Sequence, residues 1–205
     1  MNIQAGYGKV IIRIIGKNDV IKTGENSLYI DTTFRKEQHA ITCGEVVSVS
    51  DQIDESIRTN IEVRVGDIVF FHYLSILNCI RDDKYFMYEE EVYYPVNYES
   101  LYCAKRGEQV ISLNGYILVR PILKNTEEVV NGVYLPESMM KQERASTGIV
   151  AHVGTPLIGA HSLCKHGDEI IFRKSSSVPF QHELHNSFGE KLYRMKNDSI
   201  LAIVS

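Results

Sequence analysis

The chain is poor in the residues and patterns that would announce most common chemistries. No run of eighteen apolar residues occurs in its 205 residues, so the sequence offers no helical membrane span. The opening MNIQAGYGKVIIRIIG lacks a charged-then-apolar leader layout, because Lys9 and Arg13 interrupt its apolar run, and the cytosol is the expected compartment. There are only four cysteines, Cys43, Cys79, Cys103 and Cys164, far apart and with no CxxC. That spacing excludes a disulfide frame or a zinc knuckle and predicts small reduced core residues. No GxGxxG, Walker or GxSxG sequence is present, which removes the usual support for nucleotide binding or a serine nucleophile; Ser175-Ser176-Ser177 reads as a loop. The expectation is a protein without catalysis and without a cofactor.

Two smaller clusters need the same scrutiny. His161, Cys164 and His166, with His182 and His185, are the one grouping that could suggest a metal. Their spacing departs from HExxH, which places two histidines one helical turn apart, and surface histidines are the expected reading. The run Glu89-Glu90-Glu91 reads as a solvated sheet edge that discourages edge-to-edge pairing. The neighbouring tyrosines of YFMYEEEVYYPVNYESLY could stack nucleobases, but beside these acids they are expected to pack across strands or between subunits. The formal charge of −4 also argues against nucleic acid as the partner. That charge is uneven: residues 1–104 carry 10 basic and 16 acidic side chains, residues 105–205 carry 12 and 10.

What the chain has in quantity is short apolar segments rich in Val, Ile, Tyr and Phe. KVIIRII, GEVVSVS, GDIVFFHY, GYILVRPI, GIVAHVG, GDEIIFR and ILAIV are each bounded by Gly, Asn, Asp or Pro, which is the pattern of strands. No 3.6-residue stripe extends beyond about ten residues. Residues 137–144 (ESMMKQER) have helix-compatible propensities without a cap and are read as loop. The fold class is all-β, a sandwich or small barrel.

The segments repeat in order. IIRIIGKN answers ILVRPILKN, aligning Arg13 with Arg120; SLYID answers GVYLP; CGEVVSVS answers TGIVAHVG, aligning Gly44 with Gly148. RVGDIVFF answers KHGDEIIF, aligning Gly66-Asp67 with Gly167-Asp168, and NYESLYCA answers KNDSILAI, aligning Ser100 with Ser199. Two domains of similar fold are expected, 1–104 and 105–205, joined by a short polar link at 104–110 (AKRGEQV). In each Gly-Asp the glycine supplies the turn conformation and the aspartate bonds nearby amides, which is structural chemistry.

With GYILVRPI, GVYLPE, STGIVAHVG, GDEIIF and DSILAIV in that order, the second half resembles the GroES-type co-chaperonins (chaperonin-10 family) over nearly its whole length. The first half resembles the same family less closely, through KVIIRII, GEVVSVS, VRVGDIVFF and ESLYCA. The resemblance implies two irregular small β-barrels in tandem, each with a long mobile loop between its first two strands and a roof β-hairpin. The roof hairpins would fall in TPLIGAHSLCKHG and SDQIDESIRTNIEVRVG. ILNCIRDDKYFMYEEEVYY reads as an extra or enlarged hairpin around Asp82-Asp83.

The resemblance also implies a partner, a nucleotide-bound GroEL-type chaperonin, and a ring-like homo-oligomer of the chain itself. Contact would fall to Gly132, Val133, Tyr134 and Leu135, with Leu28, Tyr29 and Ile30 as the weaker counterpart: the first repeat has no glycine immediately before its triplet and has Asp31 where the second has Pro136. Such an arrangement is physically sensible for a reversible lid. Three buried apolar side chains contribute roughly 1.5–3 kcal/mol each, while ordering a loop costs about 1–2 kcal/mol per fixed residue. Single loops then bind feebly, and affinity comes from several displayed together. The alternative is a GroES-like structural or assembly protein that has lost capping. The GroES-like domain of medium-chain dehydrogenases is a poor fit, because no nucleotide-binding sequence follows.

Overall fold

The computed structural model describes residues 3–15, 43–51, 61–72, 74–122, 129–130, 133–134, 147–156, 161–173, 189 and 192–204. The chain divides into two compact units, Met1–Asn114 with Gly154–Ala160, and Gly115–Val153 with His161–Ser205. Both are mostly sheet, with little helix, in keeping with the all-β expectation.

Unit 1 holds β1 (Lys9–Ile14), β2 (Cys43–Val49), β3 (Ile68–Phe71), α1 (Leu74–Arg81), β4 (Phe86–Tyr88), β5 (Glu91–Asn97), β6 (Leu101–Arg106) and β7 (Gln109–Ser112). They form a seven-stranded sheet in the order β4-β5-β1-β2-β3-β6-β7. Unit 2 holds β8 (Tyr116–Pro121), β11 (Thr147–Val153), β12 (Glu169–Phe172), β13 (Tyr193–Lys196) and β14 (Ile200–Val204) in the order β13-β8-β11-β12-β14. A separate two-stranded ladder pairs β9 (Val129–Val130) with β10 (Val133–Tyr134).

Without β4 and β7, the first sheet runs β5-β1-β2-β3-β6, which matches the second strand for strand. The agreement reaches single residues. The β1–β2 register shifts between Ile11 and Ile12, skipping Val47; the β8–β11 register shifts between Val150 and His152, skipping Ala151. The β3–β6 and β12–β14 registers skip Tyr102 and Leu201. In each pair the bulged residues are those that the sequence repeat aligns, and a bulge of this kind bends its strand and increases the twist.

The cores agree too. The buried cluster of unit 2 is Ile117, Val119, Val150, Cys164, Ile170, Phe172 and Met195. Its aligned positions Val10, Ile12, Val46, Val63, Val69, Phe71 and Val96 all belong to the buried cluster of unit 1.

Gly66 and Gly167 sit at φ +89° and +90°, a region that only glycine enters without strain. The aspartate after each accepts a backbone hydrogen bond: Asp67 Oδ2 from Arg64 N at 2.8 Å, Asp168 Oδ2 from Lys165 N at 2.7 Å. Gly44 and Gly148 are required for a different reason, close approach. A Cβ there would lie 2.9 Å from the Arg13 carbonyl and 2.7 Å from the Arg120 carbonyl.

Three expectations are corrected. Among the described residues neither sheet closes into a barrel, because the first and last strands of each ladder do not pair with each other. In unit 1 both ends are taken by hairpin partners, β4 folded on β5 and β7 on β6, so no edge is left to meet the other. The polar stretch 104–110, where a link was expected, is the end of the β6–β7 hairpin: its residues pair across the ladder around a turn at 107–108, with Gly107 at φ +58°. β6 extends to Arg106 because that side chain is recruited across the ladder: Arg106 donates to both carboxylate oxygens of buried Asp67, at 2.8 and 2.7 Å. Finally, Asp82-Asp83 do not centre a hairpin. They follow helix α1, which the backbone closes by Lys84 N donating to Cys79 O and Asp83 N to Ile80 O, with Asp83 at φ +51°. The true hairpin turn is Glu89-Glu90, between β4 and β5. Residues 52–60 and 157–160, within the two roof-hairpin stretches, lie outside the described residues, as do residues 137–144.

Candidate functional site

The segment that carries Val133 and Tyr134 leaves unit 2 from a firmly defined base. Pro121 pairs with Gly148 at the end of the β8–β11 ladder, and Ile122 N donates to Thr147 O at 3.1 Å one step further out. Gly148 lets the two backbones approach there, since any side chain would strike Val119 and the Arg120 carbonyl. The corresponding base in unit 1 pairs Ile14 with Gly44 and Arg13 with Glu45. It is reinforced by an ion pair from Arg13 Nη2 to Glu45 Oε2 at 2.7 Å. Unit 2 places Ile149 opposite Arg120 at that step, so the same link is not made there.

Beyond the unit 2 base, Val133 pairs with Val130 and Tyr134 with Val129. Val133 and Tyr134, two residues of the triplet in the stretch that the resemblance assigns to a long loop, thus occupy a short strand. The signal was in the sequence. VVNGVY sets β-branched and aromatic residues on both sides of Asn-Gly, the strongest short-range hairpin cue. A ladder this short is marginal in water by itself. Gly132, Leu135, Leu28, Tyr29 and Ile30 lie outside the described residues.

The other candidates resolve locally. His166 Nδ1 lies 2.7 Å from the Ala151 carbonyl, to which it donates, and Cys164 is buried in the core with its thiol pushed up by that burial. His182 and His185 are outside the described residues, and among the described ones no group of three metal-capable side chains occurs. The tyrosines pack across strands: Tyr93 stacks on Phe86 at 5.5 Å and Tyr85 lies 6.1 Å from Tyr94. Tyr98 and Tyr102 are fully buried. Tyr98 Oη accepts a hydrogen bond from Glu62 N at 3.0 Å, and burial pushes the phenol up to about 12. No helix among the described residues is long and apolar enough to cross a membrane.

Residues 109–204 match the family model of the chaperonin 10 Kd subunit. The match opens on β7, takes in all of unit 2's sheet, and supports a GroES-like domain with a co-chaperonin-type role in the second half of the chain. No curated protein matches the chain.

Proposed function

We propose that the chain is a tandem GroES-like co-chaperonin that assembles with copies of itself and caps a nucleotide-bound GroEL-type chaperonin, assisting ATP-dependent folding without catalysing a reaction itself. The family match over residues 109–204 carries the reading. The strand-for-strand duplication of the matched sheet in unit 1 supports extending it to the whole chain. Val133, Tyr134 and Leu135 would make the principal contact, after Gly132, with Leu28, Tyr29 and Ile30 adding to it. A ladder such as β9–β10 favours binding, because residues already paired lose less freedom on docking.

Self-assembly has its own support. β14 pairs only with β12 among the described strands, and Leu201, Ile203 and Val204 are exposed along it, with Leu201 at 59%. A bare apolar edge of this kind templates a further strand. In unit 1 the equivalent strand β6 is covered by β7, with Ser112 opposite Cys103 and Val110 opposite Lys105. A strand of a second copy is therefore a natural cover for β14, and repetition of such a pairing links chains head to tail.

The test is native mass spectrometry and negative-stain imaging of the protein alone and with a GroEL-type chaperonin and nucleotide, repeated with Tyr134→Asp and Leu135→Asp. A ring-like oligomer and a capped complex that either substitution abolishes are expected. Capping that survives both would remove these residues from the role. A stable monomer without chaperonin affinity would favour the second reading, a GroES-like assembly protein. That reading draws on unit 1, which lies almost wholly outside the family match and carries Asp31 after its triplet.

A further inference from the structure

Of the large hydrophobic side chains left exposed, a concentrated group lies within fifteen consecutive residues of unit 1. Leu74, Leu77 and Ile80 are 45%, 50% and 48% exposed and follow one another at three-residue spacing along α1, as a single ridge. The opposite face of the helix is buried through Ile76 and Cys79, which join the core that contains Tyr94 and Val96 of β5. β4 lies beside β5, and Tyr85, just before β4, and Met87 within it lie on the side of the sheet that α1 covers: the Tyr85 ring meets Tyr94, and Met87 is opposite Val92, two residues before Tyr94. Met87 is 68% exposed. An apolar surface of this kind marks an interaction site more often than chance exposure does.

The rim fixes the chemistry of the partner. The two cations carried by α1 and the turn after it, Arg81 and Lys84, are both held by Asp82, at 2.9 Å each, and Lys9 of β1, which lies close enough to act on Cys79, donates to Asn97. The remaining charges on α1, β4 and the turns that follow them, Asp83, Glu89 and Glu90, are acidic, and Arg13 beside the β4–β5 turn is shared between Glu45 and Glu91. A second copy of the chain would bring the same carboxylates against them, so isologous self-pairing through this face is disfavoured by like-charge repulsion. A helix with an apolar stripe bordered by lysine or arginine complements both features. The hairpin tip adds a further point: Glu89 and Glu90 sit at φ +48° and +66°, a turn that prefers Asn-Gly, so the acids are kept at some cost to the backbone.

We infer that the ridge of α1 and the adjoining face of β4 form a docking site for a basic amphipathic helix of a partner protein. The site is separate from the Val133–Leu135 contact, and it stands whether or not the capping reading does.

The probe is a fluorescein-labelled peptide of about 18 residues, roughly five helical turns, with leucine at i, i+3, i+4 and i+7 and lysine elsewhere. It is titrated with the full chain and read by anisotropy. Saturable binding is expected, with affinity at least about tenfold lower for Leu77→Ser combined with Met87→Ser. Glu89→Asn with Glu90→Gly removes the charge while suiting the turn; it should weaken binding about threefold to tenfold and flatten the salt dependence. All four positions lie on the surface or in the turn, and an unchanged melting midpoint in the Leu77/Met87 variant shows that the fold is kept. The inference is overturned if a glutamate-for-lysine peptide binds equally well, or if both variants bind like the parent. It is also overturned if the face instead drives a concentration-dependent dimer that Leu77→Ser abolishes.

Discussion

Units 1 and 2 share one ladder, one pair of bulges and seven aligned core positions, yet they finish their edges differently. In unit 1 the last strand of the common ladder is covered by β7, and the first is extended by β4 and flanked by α1. In unit 2, β14 pairs only with β12 among the described strands and exposes Leu201, Ile203 and Val204. A duplicated core tolerates little change, because interiors are close-packed and each side chain is held by its neighbours. Edges and the segments between strands carry fewer such constraints, and it is there that the two units differ.

The sharpest difference to probe is the buried carboxylate. Asp67 is held by Arg106, whereas the position aligned with Arg106 in unit 2 is Ser205, which has no guanidinium to offer. Arg106→Ala strands a buried charge and should cost about 3 kcal/mol in denaturant unfolding. Asp168→Asn should cost no more than about 1 kcal/mol, since it weakens a single turn hydrogen bond. Equal losses would mean that the two turns are energetically alike and that the Arg106 pair adds nothing.

Next come the two close-approach glycines. Gly148→Ala places a methyl 2.5 Å from Val119 and 2.7 Å from the Arg120 carbonyl, while Gly44→Ala meets the Arg13 carbonyl at 2.9 Å. Both should destabilise, by about 2–3 and about 1–2 kcal/mol respectively. Thermal melts that reverse this order would break the equivalence of the two strand bases.

The units should also part company in alkali. Tyr98 of unit 1 aligns with Asn197 of unit 2, so only unit 1 buries a phenol at this position. Its folded pKa is raised to about 12 by burial, so the neutral form is favoured in the fold. The contribution is fully present below the ordinary tyrosine value of about 10 and is lost as pH climbs through about 12, up to about 2 kcal/mol. Tyr98→Phe should flatten that decline, at a cost near neutrality of about 1 kcal/mol for the hydrogen bond from Glu62. Stability measured from pH 8 to 12 in both proteins checks it, and identical slopes would remove Tyr98 as the cause.

The smallest effect is a gain. Glu89→Asn with Glu90→Gly replaces two strained residues by the pair that the turn prefers, and should raise stability by up to about 1 kcal/mol. A melting midpoint that falls would show that the carboxylates hold the hairpin in some other way.

Much of this was legible in the sequence, for identifiable reasons. Gly-Asp before an apolar run marked both turns, and the ordered repeats marked both ladders, because turn chemistry and period-2 burial are local properties. The features that escaped depend on neighbours distant in the chain. LSILNCIR is too short to declare a helix and becomes one where Ile76 and Cys79 can bury beside β5. AKRGEQV is polar, and it pairs as a hairpin because Arg106 finds Asp67 across the sheet. VVNGVY was readable by its turn residues alone, and was obscured by the polar residues on either side.

The sequence alone determined that this chain is β-rich, that its segments recur in order, and that its second half follows the chaperonin-10 pattern, since strand period, turn residues and segment order are written residue by residue. Only the tertiary structure decided which sheet edges are covered, which carboxylate is buried, and where an apolar ridge is left facing solvent. Those outcomes depend on which distant segments meet, and the free energy of burying a strand edge or a charge exists only once they have met.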